Sequence, residues 1–199
     1  MSKKKTLHVP DAPFRPGEKP DFSNLELPKA GDAKKPKIMV EPSEIRDLAF
    51  SLVRVLDDKH EAVGPWDPKL DASVLKKGLR HMSLLRIFDD RMLTMQRQGK
   101  LSFYMKSLGE EAVAIAQGMA LRSDDILFPS YRQPGLQFVR GRDIVDMICH
   151  CITNVKDNVK GRQMPVHYSW KEGNFVSISS PVGTQFPQAV GCAMASAYK

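Results

Sequence analysis

A chain of 199 residues with 42% hydrophobic and 27% charged content can build one sizeable core, or a domain with an arm, and has no apolar run long enough to cross a membrane. The net charge of +7 raises nucleic acid or an anionic membrane surface as partners, but residues 1–40 alone hold nine Lys/Arg against five Asp/Glu. No basic stripe interleaved with aromatics follows, so a solvated basic arm accounts for the charge and both partners are set aside.

Residues 1–40 contain six prolines, the run Lys3-Lys4-Lys5 and few apolar anchors, the composition of a flexible arm. Leu25, Leu27, Ile38, Met39 and Val40 leave open that part of it lies against another surface. The start has neither the apolar core of a signal peptide nor the Arg/Ser pattern of a transit peptide, which predicts the cytoplasm. Residues 41–70 read as an exposed connector, closed by Gly64-Pro65-Trp66-Asp67-Pro68.

The folded domain is expected over 71–199. From Asp71, Leu75, Leu79, Met82, Leu85, Phe88, Met92 and Met95 recur at steps of three and four, a long amphipathic helix ended by Gly99. After the apolar segment Leu101-Ser102-Phe103-Tyr104-Met105, Gly109-Glu110-Glu111 opens an alanine-rich helix to Leu121; acids in a first turn suit the helix dipole, and adjacent carboxylates do not face one another for acid–base work. Ile126-Leu127-Phe128-Pro129 reads as a short buried strand. Tyr131 and Arg132 follow it directly, where an arginine fork and a phenol can hold a phosphate.

Asp143 caps a helix carrying Ile144, Met147, Ile148 and Cys151. The three cysteines, Cys149, Cys151 and Cys192, have apolar helical neighbours and no Cys-x-x-Cys spacing, as expected of buried thiols in a reducing compartment. His167, beside Pro165 and Tyr168, reads as an ordinary hydrogen-bonded loop histidine. Phe175 to Ser179 alternate as a strand should, Ser180-Pro181-Val182-Gly183 breaks it, and Thr184 can cap a helix with Pro187 in its first turn. The small residues Ala189, Gly191, Ala193, Ala195 and Ala197 would let another backbone approach that helix closely. Strand, polar turn and helix start together form half of a parallel α/β unit, whose crevice commonly takes a ligand.

Five segments occur in one order: Leu101 to Met105, Gly109-Glu110-Glu111, Tyr131-Arg132, Gly161 to Tyr168, and Ile178 to Gln185. Together they resemble the alpha subunits of branched-chain 2-oxo acid dehydrogenases (2-oxoisovalerate dehydrogenases) from about Leu52 to Lys199, with a Gly-Pro-Trp connector more like bacterial members than mitochondrial ones. The resemblance implies a three-layer α/β thiamine-diphosphate-binding fold with a mostly parallel sheet. It also implies oxidative decarboxylation of branched-chain 2-oxo acids of the 3-methyl-2-oxobutanoate type, with acyl transfer to lipoyl-lysine. The implied partners are a beta subunit in a heterotetramer and a dihydrolipoyl acyltransferase core.

Carried onto matched positions, the resemblance assigns Tyr131 and Arg132 to the cofactor diphosphate, and Ser180 and the Val182 backbone to its middle and aminopyrimidine. Ser179, Pro181, Thr184 and Gln185 would hold a potassium-like ion through oxygen atoms. No catalytic side chain is assigned. The family's Gly-Asp-Gly and Asn-Asn, which hold magnesium on the diphosphate, are absent and would begin beyond Lys199. The expectation is therefore the first half of such a subunit. The alternative is a non-catalytic fragment retaining only the cation loop and subunit-interaction surfaces.

Overall fold

The computed structural model describes residues 15–19 and 28–198. The expected arm falls in large part on residues outside these. The chain divides into two compact units, Met1–Lys69 and Leu70–Lys199.

In the first unit, the stretch read as an open connector carries a 3-10 helix, Pro42–Phe50, with proline at its first positions, where a missing N–H is no loss. A short hairpin follows, in which the Val63 N–H donates to the Val55 carbonyl at 2.8 Å and the Asp57 N–H to that of Glu61 at 3.0 Å. The Asp57 carboxylate closes its turn by accepting from the N–H groups of Lys59 and Glu61. Gly64, at φ +82°, lies so near Gly31 that a Cβ there would come within 2.3 Å of the Gly31 Cα, and only glycine fits. Ile38 and Met39 are exposed.

The second unit is built on helix α1, Ala72–Arg97, which the spacing foretold. Its apolar stripe is buried only in the second half, at Leu85, Phe88 and Met92, whereas Leu75 and Leu79 are exposed. Phe88 meets Tyr104 and Phe138 edge to face, at ring separations of 6.3 and 5.4 Å. Helix α2, Glu111–Ala120, and the short α3, Gly135–Val139, pack against this region. They meet closely because Gly135 lacks a side chain: a Cβ there would lie 3.0–3.1 Å from Leu85, Ala114 and Ile115. Helix α4, Ile144–Cys151, begins at Asp143, whose carboxylate accepts from the Val145 N–H at 2.9 Å.

Two buried carboxylates on α1 and α2 organise the irregular chain between them. Asp89, fully buried, accepts from the Tyr104 hydroxyl at 2.7 Å and from both the N–H and the hydroxyl of Ser107, at 2.7 and 2.8 Å. Burial and that carboxylate together keep the Tyr104 phenol protonated far above its usual range. Glu111 pairs with Arg86 of α1 and accepts from the Gly109 N–H at 2.8 Å. It thus does more than complement a dipole: it ties α2 to α1.

The expected strands are extended, but among the described residues they meet only through single bridges: Leu127 with Phe175 in parallel, and Phe175 with Trp170 in antiparallel sense. Pro129 has no N–H to continue the first row, and Trp170 turns back through a short 3-10 segment at Lys171–Gly173 to reach Phe175. Helix α5, Gln185–Ala197, has no buried residue and exposes Phe186, Val190 and Met194. The close backbone approach expected at its small residues is not met among the described residues, where a Cβ on Gly191 would find open space.

Asp89→Ala strands three buried donor groups and should cost about 3 kcal/mol in chemical denaturation. Glu111 is held below its ordinary value of 4.5, chiefly by the Arg86 hydrogen bond. Its contribution is therefore present above that value and lost as pH falls through the lower folded one. Glu111→Gln should be less stable than the unsubstituted chain at neutral pH, with the gap closing in acid; a gap that widens in acid would refute this role.

Candidate functional site

The first segment of the site is the turn after the Leu127 bridge. The Ser130 N–H donates to Gln133 Oε1 at 2.9 Å, and the Arg132 N–H to Ser130 Oγ at 3.3 Å, so short polar side chains fix the turn locally. Tyr131 and Arg132 emerge half-buried. The Arg132 guanidinium gives one long bond, 3.4 Å, to the Lys106 carbonyl, on the stretch that Asp89 anchors through Ser107. No carboxylate among the described residues pairs with it. A half-buried cation with most of its five donors unspent is suited to an anion.

The second segment is Met164 to Tyr168. Val166 is fully buried at φ +64°, a left-handed conformation that a β-branched residue adopts only when its surroundings enforce it. The enforcement is visible next door. The His167 N–H donates to the Met164 carbonyl at 3.1 Å, and the Tyr168 carbonyl accepts from the Ile178 N–H at 3.1 Å. Tyr168 is wholly buried, 3.1 Å from Cys151 Sγ, with the His150 ring 4.7 Å away and the Arg142 guanidinium 5.5 Å from its ring centre. Burial drives its phenol well above the normal range, so it stays neutral.

His167, which the sequence left as a loop residue, is where the two segments meet the third. It is buried, with Nδ1 3.0 Å from the Pro165 carbonyl, Nε2 2.6 Å from Ser180 Oγ, and its ring 5.8 Å from that of Tyr131. Tyr131 and Ser180, assigned to one ligand by resemblance, thus flank one imidazole. Pattern alone offered no signal for this, because the contact depends on a buried left-handed residue.

The third segment is the Ser179–Gln185 turn. The four residues expected to hold a cation gather in two pairs: Thr184 Oγ1 donates to the Pro181 carbonyl at 2.9 Å, and Gln185 Nε2 to the Ser179 carbonyl at 3.3 Å. The Thr184 hydroxyl is therefore engaged backwards and does not cap α5 as expected. Carbonyl and hydroxyl oxygens in one turn are of the kind that a weakly hydrated univalent ion takes, and the Gln185 amide presents its oxygen only after rotation. Magnesium is not served: none of these residues is a carboxylate, and the described residues hold no cluster of three His, Cys, Asp or Glu side chains. Ser180, Pro181 and Val182 form an exposed crown on the turn, with the Val182 side chain pointing outward.

Two families of known proteins match this chain. Residues 79–199 match the family described as "Dehydrogenase E1 component". Residues 3–43, below the stretch that carried the resemblance, match "2-oxoisovalerate dehydrogenase E1 alpha subunit N terminal". The chain is 56% identical over 193 residues to the 2-oxoisovalerate dehydrogenase subunit alpha of Pseudomonas aeruginosa, which covers 97% of this chain and 47% of that protein. It is 40% identical over 158 residues to the mitochondrial 2-oxoisovalerate dehydrogenase subunit alpha of Mus musculus, covering 79% of this chain and 35% of that one. The Caenorhabditis elegans mitochondrial subunit is 43% identical over 129 residues, 65% of this chain and 30% of the relative. The chain thus spans from under a third to about half of these relatives. By these matches the chain belongs to the thiamine-diphosphate-dependent dehydrogenase E1 component family, on the side of the 2-oxoisovalerate dehydrogenase alpha subunits.

Proposed function

We propose that the chain serves as part of the alpha subunit of a dehydrogenase that oxidatively decarboxylates branched-chain 2-oxo acids of the 3-methyl-2-oxobutanoate type. In this reading it works in the cytoplasm with a beta subunit, in a heterotetramer, and passes the acyl group to lipoyl-lysine of a dihydrolipoyl acyltransferase core. The observation that carries the reading is the meeting of the Tyr131–Arg132 turn and the Ser180 loop across His167. Segments 49 residues apart in sequence, counted from Tyr131 to Ser180, come together at the positions that the family resemblance assigns to a single cofactor.

Bound thiamine diphosphate would supply the carbanion chemistry of decarboxylation. This chain's residues bind and orient it. Arg132 offers its unspent donors to the diphosphate, with the Tyr131 hydroxyl beside it. Ser180 and the Val182 backbone take the middle and the aminopyrimidine. Ser179, Pro181, Thr184 and Gln185 hold a potassium-like ion that stiffens the turn carrying Ser180. Magnesium ligands belong to sequence outside residues 1–199 in this account, and the parallel sheet of the thiamine-diphosphate fold extends the single Leu127–Phe175 bridge.

Calorimetric titration of magnesium thiamine diphosphate into the chain, alone and with its beta subunit, tests the reading: saturable binding is expected with the beta subunit, and absence of binding in both would overturn it for this chain. Arg132→Ala should weaken that binding about 10- to 100-fold, the effect of losing a charge-assisted contact to an anion. Replacing potassium with tetramethylammonium should weaken it as well. Gln185→Ala should remove that difference between the two cations, and undiminished potassium dependence would exclude Gln185 as a ligand.

A further inference from the structure

His150, in the last turn of α4, is 2% exposed and has an acceptor against each ring nitrogen. Asp157 Oδ1 lies 3.3 Å from Nδ1, and the Met164 carbonyl oxygen 3.2 Å from Nε2. Neither an ionised carboxylate nor a carbonyl donates, and a neutral imidazole has one N–H. The uncharged ring therefore serves only one of the two at a time. A second proton would serve both, but it would place a cation where water does not reach.

The charges around the ring decide which effect prevails. Asp157 is itself buried, and its oxygens already accept from the N–H groups of Val159, at 3.2 Å, and Gly161, at 2.7 Å. Its pull on a ring proton is thereby partly spent. On the other side stands the Arg142 cation, over the Tyr168 ring that packs against His150. Asp146, one turn earlier on α4, is taken by Arg142 and Asn158. Tyr168 and Cys151 are held neutral by burial and offer no counter-charge. Burial, with Arg142 adding to it, holds the imidazole below its ordinary value of 6.5 against the opposing pull of Asp157.

What the ring holds is a loop under strain. Thr153, Lys160 and Val166 take left-handed backbone, at φ +52°, +56° and +64°, which such residues keep only where their surroundings enforce it. The Met164 carbonyl that faces Nε2 also accepts from the His167 N–H, so one oxygen links α4 to the site.

We propose that His150 is an acid-released latch: uncharged, it clips the Asp157–Met164 loop to α4, and once protonated it lets that loop and His167 come away. A buried ring that must charge favours the open loop. The closed loop is thus stable above the ring's ordinary range and is lost as pH falls through its lower folded value. The latch does not depend on which ligand the site takes, and neither readout of it uses a cofactor.

Amide exchange of the chain at about pH 7.5 and about pH 5.5, corrected for the intrinsic pH dependence of exchange, tests it. Protection over residues 157–167 should fall about tenfold at the lower pH while α1 and α2 keep theirs. Unchanged protection over 157–167 would overturn the latch, and so would a loss spread evenly over the unit, which would mean general acid unfolding. His150→Gln keeps an N–H for an acceptor and does not titrate, so its loop should stay protected at both pH values; a loop that still opens in acid would overturn the proposal. Nitrogen NMR of histidine-labelled protein needs no variant. The histidine identified by its contact with the Tyr168 ring should titrate below 6.5, in step with the loss of protection, and titration at or above that value would overturn the proposal.

Discussion

The Asp89 carboxylate is the constraint on which the second unit depends. It lies on α1 where the helix faces the core, a position that an apolar side chain would normally fill, and burying an ionised group there is unfavourable unless its lone pairs are met. Tyr104 and Ser107 meet them with three donors. The stretch from Leu101 to Ser107 has no helix and no ladder to define its course, so this cluster does the work of secondary structure. The Lys106 carbonyl that receives Arg132 belongs to that stretch. A charge in the core thereby sets the place of a charge at the site.

The same economy runs through the other half of the unit. His150 sits between the Asp157 carboxylate, 3.3 Å away, and the Met164 carbonyl, at 3.2 Å, and Asp157 in turn accepts from the N–H groups of Val159 and Gly161. The loop leading to His167 is thus secured from α4 before it reaches the site. Tyr168 then fixes the far side, bonded to Cys151 and held under the Arg142 guanidinium. Polar groups buried in satisfied networks specify one arrangement more sharply than apolar packing does, because each has few partners that fit. The Ser179–Gln185 turn, tied within itself by the Thr184–Pro181 and Gln185–Ser179 hydrogen bonds, meets that scaffold at the Ser180–His167 contact.

Periodicity made α1, α2 and α4 legible, because helices that bury one face must repeat near every third and fourth residue. It overstated the burial of Leu75 and Leu79, since a stripe records which residues could be covered and not which are. The extended segments at Leu127 and Phe175 were visible as alternation, but their pairing was not: alternation is local, and a ladder depends on neighbours distant in sequence. The 3-10 helix at Pro42–Phe50 escaped notice because it is short and its proline reads as a breaker. At the site, the placement of Tyr131 and Arg132 directly after an extended segment and the order of the motifs were readable. His167 was not, because its role comes from burial and from the left-handed Val166, and a lone histidine in a loop carries neither in its spelling. Arg86–Glu111 and Asp89 were missed for a related reason: a charged residue on an amphipathic helix is ordinarily read onto its outer face.

The central claim is that the Tyr131–Arg132 turn, His167 and the Ser179–Gln185 turn form one ligand site. Amide hydrogen exchange of the chain with its beta subunit, followed with and without magnesium thiamine diphosphate, addresses it directly. Protection rising together over residues 130–133, 166–168 and 179–185 is the result that this account predicts. Protection confined to one of these segments, or gained elsewhere in the unit, would contradict it.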